Sequence, residues 1–360
     1  MDAYIVSGAR TPRGRAGPKG PLAHLRPVDL IAPLFDKVLD GVARDQIADV
    51  ILGVVHQTGE QGANLGKTIG LLHGLERASG ATVNRFCASG LEAILQAALR
   101  VAAGSGPVLA GGVESLSRVP MFSDNGPWFA DPDVARRSRY VHMAIAADRV
   151  AALIGADRAA LDAVAMRSQA RALAAPADDI VGIPSILKSE GCPRANVNVD
   201  SLSRLPFLFD GPHHAGTAPA LADGASLLLI ASAATPYPKR ARIVAFGDAS
   251  VDPELMLTGN VPAAHLALKR AGLTPADIDV WEINESFAAM PLHFARQMDL
   301  DPERLNVNGG AIALGHPLGA TGGILVLTAL AELERRRQRR ALISICGGGG
   351  LALAMIIERA

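Results

Sequence analysis

Cys87-Ala88-Ser89-Gly90-Leu91-Glu92-Ala93-Ile94-Leu95 leads into Pro107–Val108–Leu109–Ala110–Gly111–Gly112. Much later, Ala320-Thr321-Gly322-Gly323-Ile324-Leu325-Val326-Leu327 leads into Ala341–Leu342–Ile343–Ser344–Ile345 and a run of glycines. Both stretches read as small-residue turn, helix, buried strand, paired glycines. Two copies of one unit would pack back to back, with equivalent helix starts near a common centre. A chance likeness between glycine-rich turns and alanine-rich helices is the competing reading, and the echo alone leaves both open.

The surrounding pattern supports an α/β chain. Strand-like runs at Ala3–Val6, Val50–Val55, Val108–Ala110, Ser226–Ile230, Ile243–Phe246 and Ala341–Ile345 alternate with helical patterns. From about Ser117 to Gly216 the strand signals weaken, and Pro, Asp, Arg and Ser are frequent. One helical pattern, about Arg158 to Ala174, sets Leu161, Val164, Ala165, Ser168 and Ala172 on one face. This stretch reads as an excursion from the main sheet and not as an independent core.

Composition narrows the class. The 360 residues carry 35 Lys+Arg against 35 Asp+Glu and are 49% hydrophobic, which excludes a disordered chain. The balanced charge gives no global reason to expect nucleic acid or an anionic membrane as partner. Three cysteines make no disulfide scaffold and suit a reducing compartment. No apolar run approaches the ~20 residues of a membrane span, and no leader is apparent, so the expected location is cytoplasmic. Neither CxxC spacing nor paired histidines suggest a metal. The basic run Arg335–Arg340 reads as a solvated helix end.

Four residues can carry chemistry. Cys87 stands at or near a helix N-terminus, where the dipole and free N–H groups favour a thiolate; a buried structural thiol is the alternative. Cys346 precedes Gly347–Gly350, a turn able to supply an oxyanion hole or simply a flexible loop beside a core cysteine. His316 lies in Gly315-His316-Pro317-Leu318-Gly319, a shaped loop suited to holding one imidazole. Asn284, in Asn284-Glu285-Ser286-Phe287-Ala288, is a helix cap or a holder of a water or an oxygen.

Together these motifs, in this order, resemble the thiolase family of acyl-CoA acyltransferases. The likeness runs from Ala3–Arg13 to the C-terminus. It implies a duplicated α/β fold: two similar mixed five-stranded halves in an α-β-α-β-α layering, with an inserted loop domain. The expected boundaries are 1–117 plus 210–238 for the N-terminal half, 118–209 for the insert and 239–360 for the C-terminal half. The resemblance implies that Cys87 takes up the acyl group and His316 activates it. It makes Cys346 the second acid/base and Asn284 the holder of a water that completes an oxyanion hole with His316. The N–H groups of Cys87 and Gly348 would form a second hole. His142, Met143, Phe209, Ala215, Ala218 and Phe287 are the expected acyl-CoA contacts. Coenzyme A enters as substrate, with no permanent cofactor and no metal. A homodimer or homotetramer is expected, with a hydratase/dehydrogenase partner subunit as a further possibility.

Val83-Asn84-Arg85-Phe86-Cys87-Ala88-Ser89-Gly90-Leu91-Glu92 resembles degradative members, which cleave 3-ketoacyl-CoA, more than biosynthetic ones. The chain departs from the family pattern at Asp148, where Glu is usual, and at Pro219, where a CoA-contacting serine is expected. The region from Arg118 to Phe209 is also short. Two other readings were weighed: a decarboxylating condensing enzyme, disfavoured by Cys346, and an acyl-CoA binder without activity.

Overall fold

The computed structural model describes residues 1–183 and 186–360, so Pro184 and Ser185 of the inserted stretch lie outside it. Ten strands are described: β1 (Tyr4–Arg10), β2 (Gly14–Arg15), β3 (Asp49–Gly53), β4 (Ser79–Val83), β5 (Val108–Glu114), β6 (Ala222–Ala231), β7 (Ala241–Ser250), β8 (Val280–Ile283), β9 (Arg340–Cys346) and β10 (Leu351–Arg359). They follow the order β4-β3-β5-β6-β1-β7-β10-β9-β8, with β2 on β6. In the first half β3, β4 and β5 are parallel, and β6 runs antiparallel between β5 and β1. In the second half β8 and β9 are parallel, and β10 runs antiparallel between β9 and β7. The halves join through β1 and β7, at Tyr4↔Arg242 and Ile5↔Ala241. The repeated order supports duplication over chance.

The repeat is incomplete at one edge. The place of β4 is taken in the second half by a single parallel bridge, Trp281↔Leu305, so four strands stand where five were expected. Pro302 opens a 3-10 turn, Pro302–Arg304, just before Leu305, and Asn306 turns to φ 50° just after it. An extended run has no room between them. The Asn306 side chain stands in for the missing strand: its Oδ1 accepts from Ile283 N at 2.7 Å and its Nδ2 donates to Ile283 O at 2.8 Å.

Strand alternation explains the layers. Leu228 and Ile230 of β6 face a central core, while Leu227 and Leu229 face an outer core with the helices Pro27–Val38 and Leu65–Leu72. Likewise Leu353 and Met355 of β10 face the central core. Ala354 and Ile356 face a third core, with the helices Asn260–Ala271 and Ala289–Gln297. Strands buried on both faces carry continuous apolar runs, as Leu227–Ala231 of β6 and Ala341–Ile343 of β9 do. The strands β4 and β10 were not anticipated. Ser-Gly-Ala-Thr-Val of β4 is a half-exposed edge with little intrinsic β-propensity, so its pairing with β3 defines it.

The insert contains helices Pro127–Ala130, Pro132–Arg137, Met143–Leu153, Arg158–Ala174 and Val199–Ser203. The five residues assigned to one face of Arg158–Ala174 are all buried there. Ala144, Val150, Leu161 and Val164 pack in the third core, so this segment, encoded in the first half, leans on the second.

Two helices fill the central layer: Ser89–Ala102 and Leu318–Arg336. Glycine sets their separation. A Cβ on Gly112 of β5 would sit 2.0 Å from the Gly319 carbonyl oxygen, and one on Gly322 would sit 2.1 Å from Leu91 N. Neither site holds a methyl without backbone movement. We expect Gly112→Ala to cost on the order of 3 kcal/mol or more. Gly70→Ala is the control: it lies in a helix with its nearest neighbour at 3.4 Å, and should gain about 1 kcal/mol in helix propensity. Denaturant unfolding of both variants checks the pair; equal stabilities would contradict the packing account.

Candidate active site

Cys87 and His316 hold equivalent places. Each lies two residues before the start of its central helix, at Ser89 and Leu318. The expectation that the helix end lowers the Cys87 pKa does not hold. The helix begins beyond Cys87, and the side chain is buried. Burial raises the thiol's pKa above its ordinary value, the nearby Cys346 adds to this, and a backbone hydrogen bond only partly opposes it. A neighbouring base is therefore needed to form thiolate.

His316 lines the same cleft as Cys87. Its Nδ1 lies 2.7 Å from Thr321 Oγ1, whose hydroxyl donates to Pro317 O at 3.0 Å. Thr321 has one proton and uses it there, so His316 Nδ1–H is the donor in the first contact. Nε2 is left bare, and it has no hydrogen-bond partner among the described residues. Burial lowers the imidazole's pKa to about 4, which keeps it neutral near pH 7.

Cys346 ends β9 and is fully buried. Its Sγ lies 3.1 Å from Ser286 Oγ, which accepts from Asn284 Nδ2 at 3.0 Å. Burial pushes this thiol up to about 11 against the Ser286 hydrogen bond. Asn284, just past β8, has a buried Oδ1 with no hydrogen-bond partner among the described residues. It is no helix cap, because the next helix starts only at Ala289. The glycine turn after Cys346 folds onto the Cys87 turn: a Cβ on Gly347 would lie 3.2 Å from Arg85 O and 3.7 Å from Cys87 N.

A cleft of about 300 Å³ opens onto Cys87, His316 and Gly348. His142, Met143, Ala218 and Phe287 also line it. Asn284 and Cys346 lie outside its lining, in the buried layer. Ala215 is exposed and off the wall. Phe209 is off the wall too; its ring packs 5.2 Å from His142. Pro219, where a serine was expected, is on the wall. A second cleft, about 260 Å³, borders Arg10, Arg13, Asp179 and Glu190, whose charges pair with one another.

Sequence reading missed Glu114. Its buried carboxylate accepts from Val55 N, His56 N, His56 Nδ1, Gln61 Nε2 and Gly319 N, at 2.8–3.2 Å. Burial raises its pKa, but the His56 and backbone hydrogen bonds more than offset this, and the net shift is downward. The carboxylate ties the end of β3 and the start of helix Leu318–Arg336 to β5. Register shows its rank: Gly53 pairs with Gly112 and Ile283 with Ser344, so Glu114 occupies in the first half the place of Cys346 in the second. Extending the echo two residues past Gly111–Gly112 would have found it.

Also unforeseen is a pair of histidine clamps. His213 Nε2 accepts from Ala289 N at 3.3 Å, so its Nδ1–H donates to Asp148 Oδ1 at 2.9 Å. His214 Nδ1 accepts from Gly216 N, so its Nε2–H donates to Asp162 Oδ1 at 2.6 Å. Asp148, noted only as a departure, pins helix Met143–Leu153 beside the cleft. A Cβ on Gly211 would lie 2.1 Å from Asp148 Cγ, so the approach is already tight.

Residues 3–234 match the thiolase N-terminal domain and residues 237–359 the thiolase C-terminal domain. The chain is 41% identical over 400 residues to the 3-oxoadipyl-CoA/3-oxo-5,6-dehydrosuberyl-CoA thiolase of Escherichia coli (strain K12), covering 99% of each. It is 36% identical over 392 residues to the 3-ketoacyl-CoA thiolase of Bacillus subtilis (strain 168), again covering 99% of each. The crystal structure of the Bacillus anthracis acetyl-CoA acetyltransferase superposes with TM-score 0.90 at 32% identity, covering 100% of this chain and 99% of that one. Fold, motif order and full-length similarity agree: the chain is an acyltransferase enzyme and belongs to the thiolase family.

Proposed function

We propose that this chain cleaves 3-ketoacyl-CoA with coenzyme A, giving acetyl-CoA and a shortened acyl-CoA through an acyl-Cys87 intermediate, in fatty-acid or related acyl degradation. The observation that carries this is the bare Nε2 of a buried, neutral His316 in the cleft that Cys87 lines.

Nε2 takes the Cys87 proton as the sulfur attacks the ketone carbon. The new Nε2–H is then a donor toward a developing oxyanion, a role the resting tautomer lacks. The tetrahedral adduct breaks its carbon–carbon bond and expels the enolate of acetyl-CoA. Cys346 delivers a proton to that carbon and becomes a thiolate, steadied by Ser286. The Cys346 thiolate next takes the proton from incoming coenzyme A, whose sulfur attacks the acyl-Cys87 thioester. Cys87 leaves as thiolate, recovers its proton from His316, and both cysteines end as they began. Two half-reactions predict ping-pong kinetics. Asn284 Oδ1 orients a water beside the oxyanion, and the N–H groups of Cys87 and Gly348 serve the second oxygen.

Intact mass spectrometry with 3-ketoacyl-CoAs of graded length should show an acyl adduct that Cys87→Ala abolishes. Cys346→Ala should still accept acyl groups from acyl-CoA but lose about 10³-fold or more in carbon–carbon cleavage. Absence of any adduct on wild-type protein that still binds coenzyme A would favour the inactive binder. Cleavage confined to the four-carbon substrate would instead favour acetoacetyl-CoA synthesis, the direction suggested by relatives named acetyl-CoA acetyltransferase.

The pH dependence has a fixed sign. A base with a depressed pKa stays competent as pH falls until its own value is reached. The acid limb of kcat/KM for Cys87 acylation should therefore lie at about 4 and not near 6.5. A limb at 6.5 that vanishes in His316→Asn would show a solvated imidazole and refute the burial argument.

A further inference from the structure

From the walls of the Cys87 cleft, we infer that the acyl chain cleaved is uncharged and apolar, aliphatic or aryl, and that a chain ending in a carboxylate is rejected. This rests on the proposed thiolytic reading and names its substrate class.

The chain is poor in aromatics: two Trp, three Tyr and nine Phe. One Trp, one Tyr and four Phe line this single cleft: Trp128, Tyr140, Phe86, Phe122, Phe129 and Phe287. Four come from the segment between Met121 and Val141, which lies over the reacting end. Trp128 packs tilted on Phe86 at 5.1 Å and edge-on to Tyr140 at 4.8 Å, and a Cβ on Gly348 would lie 3.0 Å from its ring. The aromatic wall therefore begins at the backbone that faces the reacting atoms.

Among the described residues, no lysine or arginine lines the cleft, and its one formal charge outside the histidines is the carboxylate of Asp124. Of the wall histidines, burial lowers the pKa of His142 and His316, and His56 is already held by Glu114. The arginines that flank the wall segments in sequence are paired: Arg85 with Glu92, Arg118 with Glu60, Arg136 and Arg137 with Asp133, Arg139 with Asp252 and Glu254. A terminal carboxylate entering here would lose hydration, gain no counter-ion and face Asp124. A methyl or phenyl terminus would bury apolar surface on the rings. The contrast matters because one relative, at 41% identity, is named for 3-oxoadipyl-CoA, a dicarboxylic chain.

The test compares 3-oxohexanoyl-CoA with 3-oxoadipyl-CoA, six-carbon chains that differ only in a methyl against a carboxylate terminus. The full-length enzyme should show kcat/KM at least tenfold higher for 3-oxohexanoyl-CoA. Asp124→Lys should shift that ratio toward 3-oxoadipyl-CoA by tenfold or more. Equal or greater kcat/KM for 3-oxoadipyl-CoA overturns the inference while leaving thiolysis standing. An unchanged ratio in a folded Asp124→Lys enzyme overturns the role given to this wall. If neither substrate is cleaved and no acyl adduct forms, the thiolytic reading falls and the inference falls with it.

Discussion

Backbone-to-backbone contact between the two central helices is the constraint on which everything else depends. Gly90 and Gly319, and Gly322 and Leu91, approach closer than any side chain permits. That spacing draws the two helix starts together. Cys87 and His316 sit at the same offset before those starts, so a packing decision made by glycines becomes a placement of nucleophile and base. Glu114 locks the arrangement by accepting Gly319 N from the opposite half. A fold built by duplication thus has its reactive groups at its own pseudo-symmetric centre.

The site keeps its reactive groups neutral at rest. Burial raises both thiols and lowers His316, so the three groups favour their uncharged forms. In the proposed reaction, charge appears only when a proton moves from Cys87 to His316, in a buried place where fixed donors are worth most. Glu114 is the exception, a buried anion saturated by five hydrogen bonds. Its five donors tie β3, the Gln61 turn and helix Leu318–Arg336 to the end of β5.

The halves divide the remaining work. The first half carries Cys87 and the insert; the second carries His316, Asn284 and Cys346. The insert packs on the second half and is pinned by Asp148 to His213 and by Asp162 to His214. Its aromatic segment then covers the first half's nucleophile. Cover and chemistry come from different parts of the chain and meet only when both halves are folded.

The sequence by itself determined the family and the acyltransferase class, and it marked the candidate residues. Cys87, His316 and Cys346 lie in or beside glycine- or small-residue-rich turns, and Asn284 just past a strand, so they stand out locally. The duplication was legible as an echo, because buried strands and glycine-faced helices leave a composition trace. What remained was decided by tertiary structure. Whether Cys87 is acidified depended on burial against dipole, and burial won. The tautomer of His316 depended on Thr321, and the missing edge strand on Pro302 and the Asn306 side chain. Glu114 looks like any strand-end glutamate until five donors from three segments converge on it. That no lysine or arginine among the described residues lines the cleft is likewise invisible in a chain with balanced charge. Electrostatics in a buried site depend on distance and desolvation, and only the fold sets those.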